Sequence, residues 1–335
     1  MSTAHKAPPP DLPLPSQEEE NSPIVEVVAG VICDARGRIL LARRTEGRDL
    51  AGLWEFPGGK REPGESPEAA LARELDEELG IQVDVGAPLI AVPQAYPHKR
   101  LRLDVRRIAA YRGTPKGLDG QALAWVPPDK LASYAMPPAD RPVVAALRQP
   151  DRYLVTPGPG KDDDAWLAQL SRALDAGVRR LQLRLHDVDA KRRRKLVAEV
   201  VARGKTAHAE ILVNGDIDLA REFGIGLHLP AALVSQQARR PVADGVALAA
   251  SCHDEDELLA AERLGCDFAV LGPVRATPTH PGADGIGWAS FSRLRETVSL
   301  PLYAIGAMAP ADIGQARRHG AQGIAAIRGL WPREP

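Results

Sequence analysis

Cysteine is scarce. The three residues Cys33, Cys252 and Cys266 are too few and too far apart for a disulfide framework or a thiolate metal site, and they suit a reduced compartment, the cytoplasm. An excess of charge of one sign is also missing. Lys and Arg number 43 against 44 Asp and Glu, a formal net charge of −1. A near-neutral chain has no bulk field with which to hold a nucleic-acid polymer, although a free nucleotide bound through a metal stays within reach. No run is long and apolar enough to span a membrane. The opening residues, MSTAHKAPPPDLPLPSQEEENSP, have no apolar core of a secretory signal. What is present is ordinary for globular protein, 44% apolar and 26% charged, over a length that suggests about two domains.

One stretch is far from ordinary. Residues 58–81 read GGKREPGESPEAALARELDEELGI. Ser66-Pro67-Glu68 has the order of a helix start, namely a capping hydroxyl, proline at the first helical position and an acid in the first turn. Gly80 marks the end. On that helix Glu74, Glu77 and Glu78 stand at i, i+3 and i+4 and share one face. Three like charges so close repel one another unless a hard divalent cation lies among them, and all-oxygen ligands suit Mg2+ or Mn2+. A carboxylate-held cation beside a Gly-rich turn is the layout of a phosphate site. Arg73 is placed to hold one glutamate as an ion pair. A solvated acidic helix would account for the glutamates alone, but not for Gly59, Glu65 and Arg73 at their spacings.

Around this stretch the chain changes character twice. Residues 1–22, rich in Pro and Glu, read as a disordered tail. From Ile24, IVEVVAGVICD and ILLARR flank the turn Ala35-Arg36-Gly37-Arg38, the pattern of a hairpin. VDVGAPLIAV, LRLDVRRIAAYRG and ALAWVP supply further strands, and RPVVAALR a short closing helix. Residues 23–148 are thus expected to form one mixed-sheet unit. Past Gln149-Pro150-Asp151 the pattern becomes strict alternation of strand and helix. RYLVTP, RRLQLRL, EILVN, GLHLP, VALAASCH, DFAVLGPV, PLYAIGA and GIAAIRGL are eight apolar strand candidates, and 149–335 is read as a TIM barrel. The sequence given ends at WPREP, so a full last helix is not expected, and the wall near Ile324, Ile327 and Trp331 should need cover from the first unit, the tail or another subunit. The run Lys191-Arg192-Arg193-Arg194-Lys195 opposes the dipole of the helix it opens and reads as a solvated face or an anion-facing one.

With these residues in view, 23–148 resembles the Nudix hydrolases, and among them the MutT-type nucleotide sanitisers. Every position of the Nudix box is filled, and LARR, WEFPGGK and MPPADRP are similar to MutT as well. The resemblance implies an α/β/α sandwich with a mixed sheet, Mg2+ (or Mn2+) as cofactor, and 8-oxo-dGTP diphosphatase activity releasing 8-oxo-dGMP and pyrophosphate. It implies Glu74, Glu77 and Arg73 as catalytic residues, the Gly58 carbonyl with Glu74, Glu77, Glu78 and Asp119 as metal ligands, and Arg44, Phe56 and Asp140 on the substrate. Arg44 reads equally as a solvated arginine at a strand end. Asp140 stands where the MutT pattern has Asn; ionised, it accepts hydrogen bonds but cannot donate to guanine O6. It reads equally as a helix N-cap.

Residues 151–331 resemble thiamin-phosphate synthase and its relative TenI through YLVTPG, LQLRL, GLHLP and SCHDEDELLAAERLGCDFAVLGPVRATPTHPG. The metal ligands of the synthase pattern are eroded. Asn214-Gly215-Asp216 stands for Asn-Asp-Arg, Pro230-Ala231-Ala232-Leu233 for the acidic segment, His186 for a lysine and Ala307 for a glycine. A TenI-like proton transfer needs no metal, and His253 matches its histidine; the plainer reading is a hydrogen-bonded His at a helix start. The partners expected are a small nucleotide and, through the barrel, a second copy of the chain, with neither nucleic-acid polymer nor membrane. The alternative function is hydrolysis of thiamin-pathway diphosphates, the barrel acting as a thiazole tautomerase or a ligand-binding regulator.

Overall fold

A computed structural model describes residues 23–47, 49–96, 99–277 and 284–332; the expected tail, residues 1–22, lies outside them. In the N-terminal part a four-stranded mixed sheet has the order β4-β1-β6-β5. Its strands are β1 (Ile24–Val31), β4 (Gly58–Lys60), β5 (Gln82–Tyr96) and β6 (Lys99–Arg112). β1 runs parallel to β6 and antiparallel to β4, while β5 and β6 form a long antiparallel ribbon. A second sheet has the order β3-β2-β7, from Trp54–Glu55, Ile39–Arg43 and Leu123–Val126.

The expected hairpin of the first two strands is not formed. β1 and β2 lie in different sheets, joined by a single bridge between Cys33 and Ile39. The reason is burial on both faces: Val28, Ile32 and Leu40 pack against one helix, whereas Ala29, Val31, Ile39 and Leu41 pack with residues of another. Alternate residues of a strand face opposite sides, so each of the two strands feeds both cores. The first helix, α1 (Pro67–Leu79), inserts Ala70, Leu71, Leu75 and Leu79 into one core; the second, α2 (Arg141–Arg148), inserts Val143, Val144 and Ala146 into the other.

The C-terminal part is a closed barrel of eight parallel strands, adjacent in chain order. These are β8 (Arg152–Val155), β9 (Arg180–Leu183), β10 (Glu210–Asn214), β11 (Gly226–Leu229), β12 (Leu248–Cys252), β13 (Phe268–Leu271), β14 (Leu302–Ile305) and β15 (Gly323–Ala326). The helices between them are α3 (Asp163–Asp175), α4 (Ala190–Thr206), α5 (Ile217–Phe223), α6 (Ala231–Val234), α7 (Glu255–Arg263), α8 (Gly287–Arg295) and α9 (Ile313–Arg318). Tyr153, Phe268 and Tyr303 fill the barrel interior around the Arg180 guanidinium, which lies 4.1 Å from the Phe268 ring centre and donates to the Tyr303 hydroxyl at 2.8 Å.

No helix follows β15 among the described residues. Ile324 is nonetheless fully buried, and Trp331 packs on Trp166 of α3 with ring centres 5.7 Å apart. The chain's own terminal turn thus covers this side, while β5 of the N-terminal part packs on α8 and α9 beside it. No described helix is long and apolar enough to cross a membrane.

The basic run on α4 is neither bare nor aimed at a ligand. Arg192 bonds Asp163, Arg193 bonds Asp216 and Arg194 bonds Glu222, so three of its five cations tie α4 to the acids flanking its neighbours.

Candidate active site and barrel mouth

The acidic helix starts and stops as its residues dictate. The Ser66 hydroxyl accepts from the Ala69 N–H at 3.1 Å, and Gly80 closes the helix at φ 64°. Arg73 then gathers the carboxylates. Its Nε and Nη2 bond the two oxygens of Glu65 at 2.9 and 3.0 Å, and its Nη1 bonds Glu74 at 2.9 Å and Glu77 at 3.2 Å. The guanidinium holds the Glu65 carboxyl well below the usual carboxylate range, and Glu65 first, then Glu74, pushes the Arg73 pKa up. Arg73 also donates to the Lys60 carbonyl at 3.1 Å, which ties the helix to the glycine turn.

Both glycines of that turn are required by space. A Cβ on Gly58 would sit 2.0 Å from the Val28 carbonyl oxygen, and one on Gly59 would sit 2.1 Å from Glu74 Oε2. Gly59 therefore makes the cradle that holds Glu74 against the turn. The remaining predicted ligand, Asp119, lies on an exposed loop docked to the end of α1, where the Leu118 N–H and Gln121 Nε2 both donate to the Glu78 carbonyl. Among the described residues no three His, Cys, Asp or Glu side chains form a ready ligand cluster. Glu77, 60% exposed, is drawn to Arg73 instead. An oxygen-only donor set around a glycine cradle still fits a hard divalent ion. Gly59→Ala is expected to leave the fold intact but cut activity about 10- to 100-fold by displacing Glu74, checked by circular dichroism beside pyrophosphate release.

Away from this helix, the predicted substrate residues meet in a second cluster. Asp140 is 5% exposed. It does not cap α2, for its side chain makes no capping bond; Oδ1 instead accepts from the Phe56 N–H at 3.2 Å. The Phe56 ring is core, packed with Ala29, Leu41 and Met136 rather than open to a ligand. Arg44 is not a solvated strand end: Nη1 pairs with Glu55, and Nε donates to the Asp49 carbonyl at 2.6 Å. Burial first, then the Glu55 charge, lifts the Asp140 pKa to about 8, so at neutral pH it is a carboxylic acid. Tyr96 lies beside it; burial and then the Asp140 charge push the phenol up. The roles of Glu55 and Tyr96 were not legible in the sequence, although Glu55 sits inside WEFPGGK.

At the barrel mouth is a cavity of about 400 Å³. Arg184, His186, Asn214 and Ser251 are among its walls, and among the described residues no carboxylate lines it. Asp216, the one acid left in the eroded motif, caps α5 through the Leu219 N–H at 3.0 Å and pairs with Arg193. His253 also lines the mouth, and its Nδ1 lies 2.9 Å from Glu257 on the first turn of α7, with the side chain 55% exposed. The residue missed is His228, between the outward-facing Leu227 and Leu229 in GLHLP. Its Nδ1 lies 3.0 Å from the Tyr153 hydroxyl and its Nε2 2.8 Å from Ser251 Oγ. Burial, and then Arg184, lower its pKa to about 3, so the ring is neutral, with both nitrogens in hydrogen-bond reach of a hydroxyl. Ala307, where the motif has glycine, is held at φ 50°, a left-handed conformation unfavourable for alanine. Ala307→Gly is expected to stabilise the protein by about 1 kcal/mol, read as a raised urea midpoint.

Comparison with known proteins agrees with this division of the chain. A NUDIX domain model matches residues 28–146, and a thiamine monophosphate synthase (TMP-TENI) model matches residues 152–330. The CTP pyrophosphohydrolase of Escherichia coli is 42% identical over 124 residues, 37% of this chain and 91% of that protein. The 8-oxo-dGTP diphosphatase of Haemophilus influenzae is 41% identical over 125 residues, 37% of this chain and 91% of that protein. The thiamine-phosphate synthase of Thioalkalivibrio sulfidiphilus is 30% identical over 184 residues, 54% of this chain and 87% of that protein. The chain belongs to the Nudix family in its N-terminal part and to the thiamine monophosphate synthase family in its C-terminal part, a Nudix hydrolase of phosphoric anhydrides joined to a barrel.

Proposed function

We propose that the chain is a Mg2+-dependent nucleoside triphosphate pyrophosphohydrolase selective for 8-oxo-dGTP, releasing the monophosphate and pyrophosphate. The observation that carries it is Asp140 buried beside the Arg44–Glu55 pair and held by the Phe56 N–H, where burial lifts its pKa to about 8. As a neutral acid it offers one O–H donor beside an acceptor oxygen, as an amide offers both. The objection to Asp in place of Asn, that a carboxylate cannot donate to O6, falls away. Glu55 and Arg44, paired beside it, supply a further acceptor and donors for the base edge.

On this reading Glu74, Glu77 and Glu78, with the Gly58 carbonyl and Asp119, would hold the ion. The bound cation would neutralise phosphate oxygens and favour hydroxide over water. Glu74, fixed between Gly59 and Arg73, is the carboxylate placed to take the proton of the attacking water. Arg73 keeps the carboxylates on one side of the helix.

A second substrate reading is CTP, favoured by the 42% identical CTP pyrophosphohydrolase. The same neutral acid would donate to cytosine N3 and accept from the N4 amine. Pyrophosphate release from 8-oxo-dGTP, dGTP and CTP, beside orthophosphate release from thiamin diphosphate, separates the readings. Preference for 8-oxo-dGTP is expected; preference for CTP moves the base assignment, and cleavage of thiamin diphosphate alone overturns both. For the barrel, the carboxylate-free pocket and the Tyr153-His228-Ser251 relay support metal-free proton transfer or ligand binding, not a Mg2+-dependent synthase.

A further inference from the structure

The C-terminal end of α8 is gripped by the ribbon β5–β6 beside the Asp140 cluster. Glu296 lies at the centre of the grip. Its carboxylate takes a two-pronged bond from Arg100, Nε at 2.7 Å and Nη2 at 2.9 Å. Its backbone carbonyl accepts from the Ala95 N–H and from Gln94 Nε2, both at 3.0 Å. A planar two-pronged pair with little solvent access fixes orientation as well as distance, and Glu296 is only 8% exposed.

The residues held are the ones that border the base cluster. Tyr96, next to Ala95, ends the strand β5 that packs on the turn Pro138–Asp140 holding Asp140. Lys99, next to Arg100, bonds Asp49 at 2.6 Å, and the Asp49 carbonyl in turn fixes Arg44, which pairs with Glu55. Arg295 backs the same corner. It is fully buried, its Nη1 donates to the Val298 carbonyl, and its Nε and Nη2 have no partner. Such a group is costly to bury; burial lowers its pKa, against which the nearby Glu262 acts first. The other end of α8 begins against the barrel mouth, where the Gly287 N–H bonds the Val274 carbonyl behind the mouth residue Pro273. One helix thus joins the barrel mouth to the base cluster.

We infer that Glu296, through Arg100, Ala95 and Gln94, is a positioning residue for the nucleotide base, so that the barrel sets the substrate affinity of the hydrolase. This rests on the reading of the Asp140 cluster as the base pocket. A positioned rim acts on binding of the base, away from the phosphates, so its loss should appear in KM and leave kcat behind.

The test is steady-state pyrophosphate release by the full chain over the three nucleoside triphosphates, with melting temperatures. Glu296→Gln is expected to raise KM for the preferred nucleotide about 3- to 10-fold, a loss of about 0.7–1.4 kcal/mol, with kcat changed less than about twofold. The reversed pair Arg100→Glu with Glu296→Arg is expected to recover KM relative to Glu296→Gln. Arg102→Ala, whose guanidinium reaches the Arg318 carbonyl at 3.5 Å on the same interface, is expected to leave KM within about twofold. A lower melting temperature for Glu296→Gln with KM unchanged overturns the inference, because the pair would then serve only docking. So does an equal rise of KM in Arg102→Ala. If wild type cleaves no nucleotide at all, the reading of the Asp140 cluster fails first and this inference with it.

Discussion

Glu77→Gln is expected to lower kcat for pyrophosphate release about 10³-fold, or about 4 kcal/mol of transition-state stabilisation. The amide keeps the volume of the side chain and its hydrogen bond to Arg73, but loses the charge. A helix face with Glu74, Glu77 and Glu78 then has one negative charge fewer with which to hold a divalent ion. Two readouts separate this from a structural effect. The Mg2+ concentration for half-maximal rate should rise, and the urea midpoint should not fall, because Glu77 is 60% exposed and its bond to Arg73 is a surface one. If kcat falls less than about tenfold and the Mg2+ dependence is unchanged, Glu77 is not part of the cation site.

The second large effect concerns Asp140. Asp140→Ala is expected to raise KM about 100-fold by leaving the base edge without its partner. Asp140→Asn should keep KM within about threefold of wild type at pH 7, since the neutral acid and the amide offer the same donor and acceptor. Above pH 8 the two should part. The wild-type acid ionises near its pKa of about 8 and KM climbs, whereas the amide does not titrate.

Stability carries the same signature. The folded pKa of Asp140 lies above its unfolded value of 3.8. The stability tied to its proton is complete below about pH 4 and is lost as pH rises toward about 8, where the folded state releases the proton too. At about 1.36 kcal/mol per unit the ceiling is about 6 kcal/mol. Urea midpoints at pH 5 and pH 8 should therefore fall in the wild type and stay level in Asp140→Asn. Level midpoints in both proteins would mean that Asp140 is ionised in the native state.

Much of this molecule is written in short-range pattern. Ser66, Pro67 and Gly80 bound α1 because a cap, a start and a left-handed stop each act within a turn of the helix. The barrel strands are legible because burial on both faces leaves short apolar runs between polar helices. The hairpin of β1 and β2 failed for the opposite reason: which of two cores each residue enters depends on helices far along the chain. His228 was passed over because a single polar residue in an apolar strand looks the same whether it is a flaw or a relay.

The sequence alone determined the acidic helix α1, the glycine turn that cradles Glu74 and the two families to which the chain belongs, because each depends on residues close together in the chain. Only the tertiary structure decided the proton on Asp140, the pairing of Arg44 with Glu55 and the Arg100–Glu296 grip. Asp140 is held by Phe56, 84 residues away, and Arg100 by Glu296, 196 residues away. Protonation and positioning are properties of the field and the solvent around a group, and that surrounding exists only once the distant segments have packed.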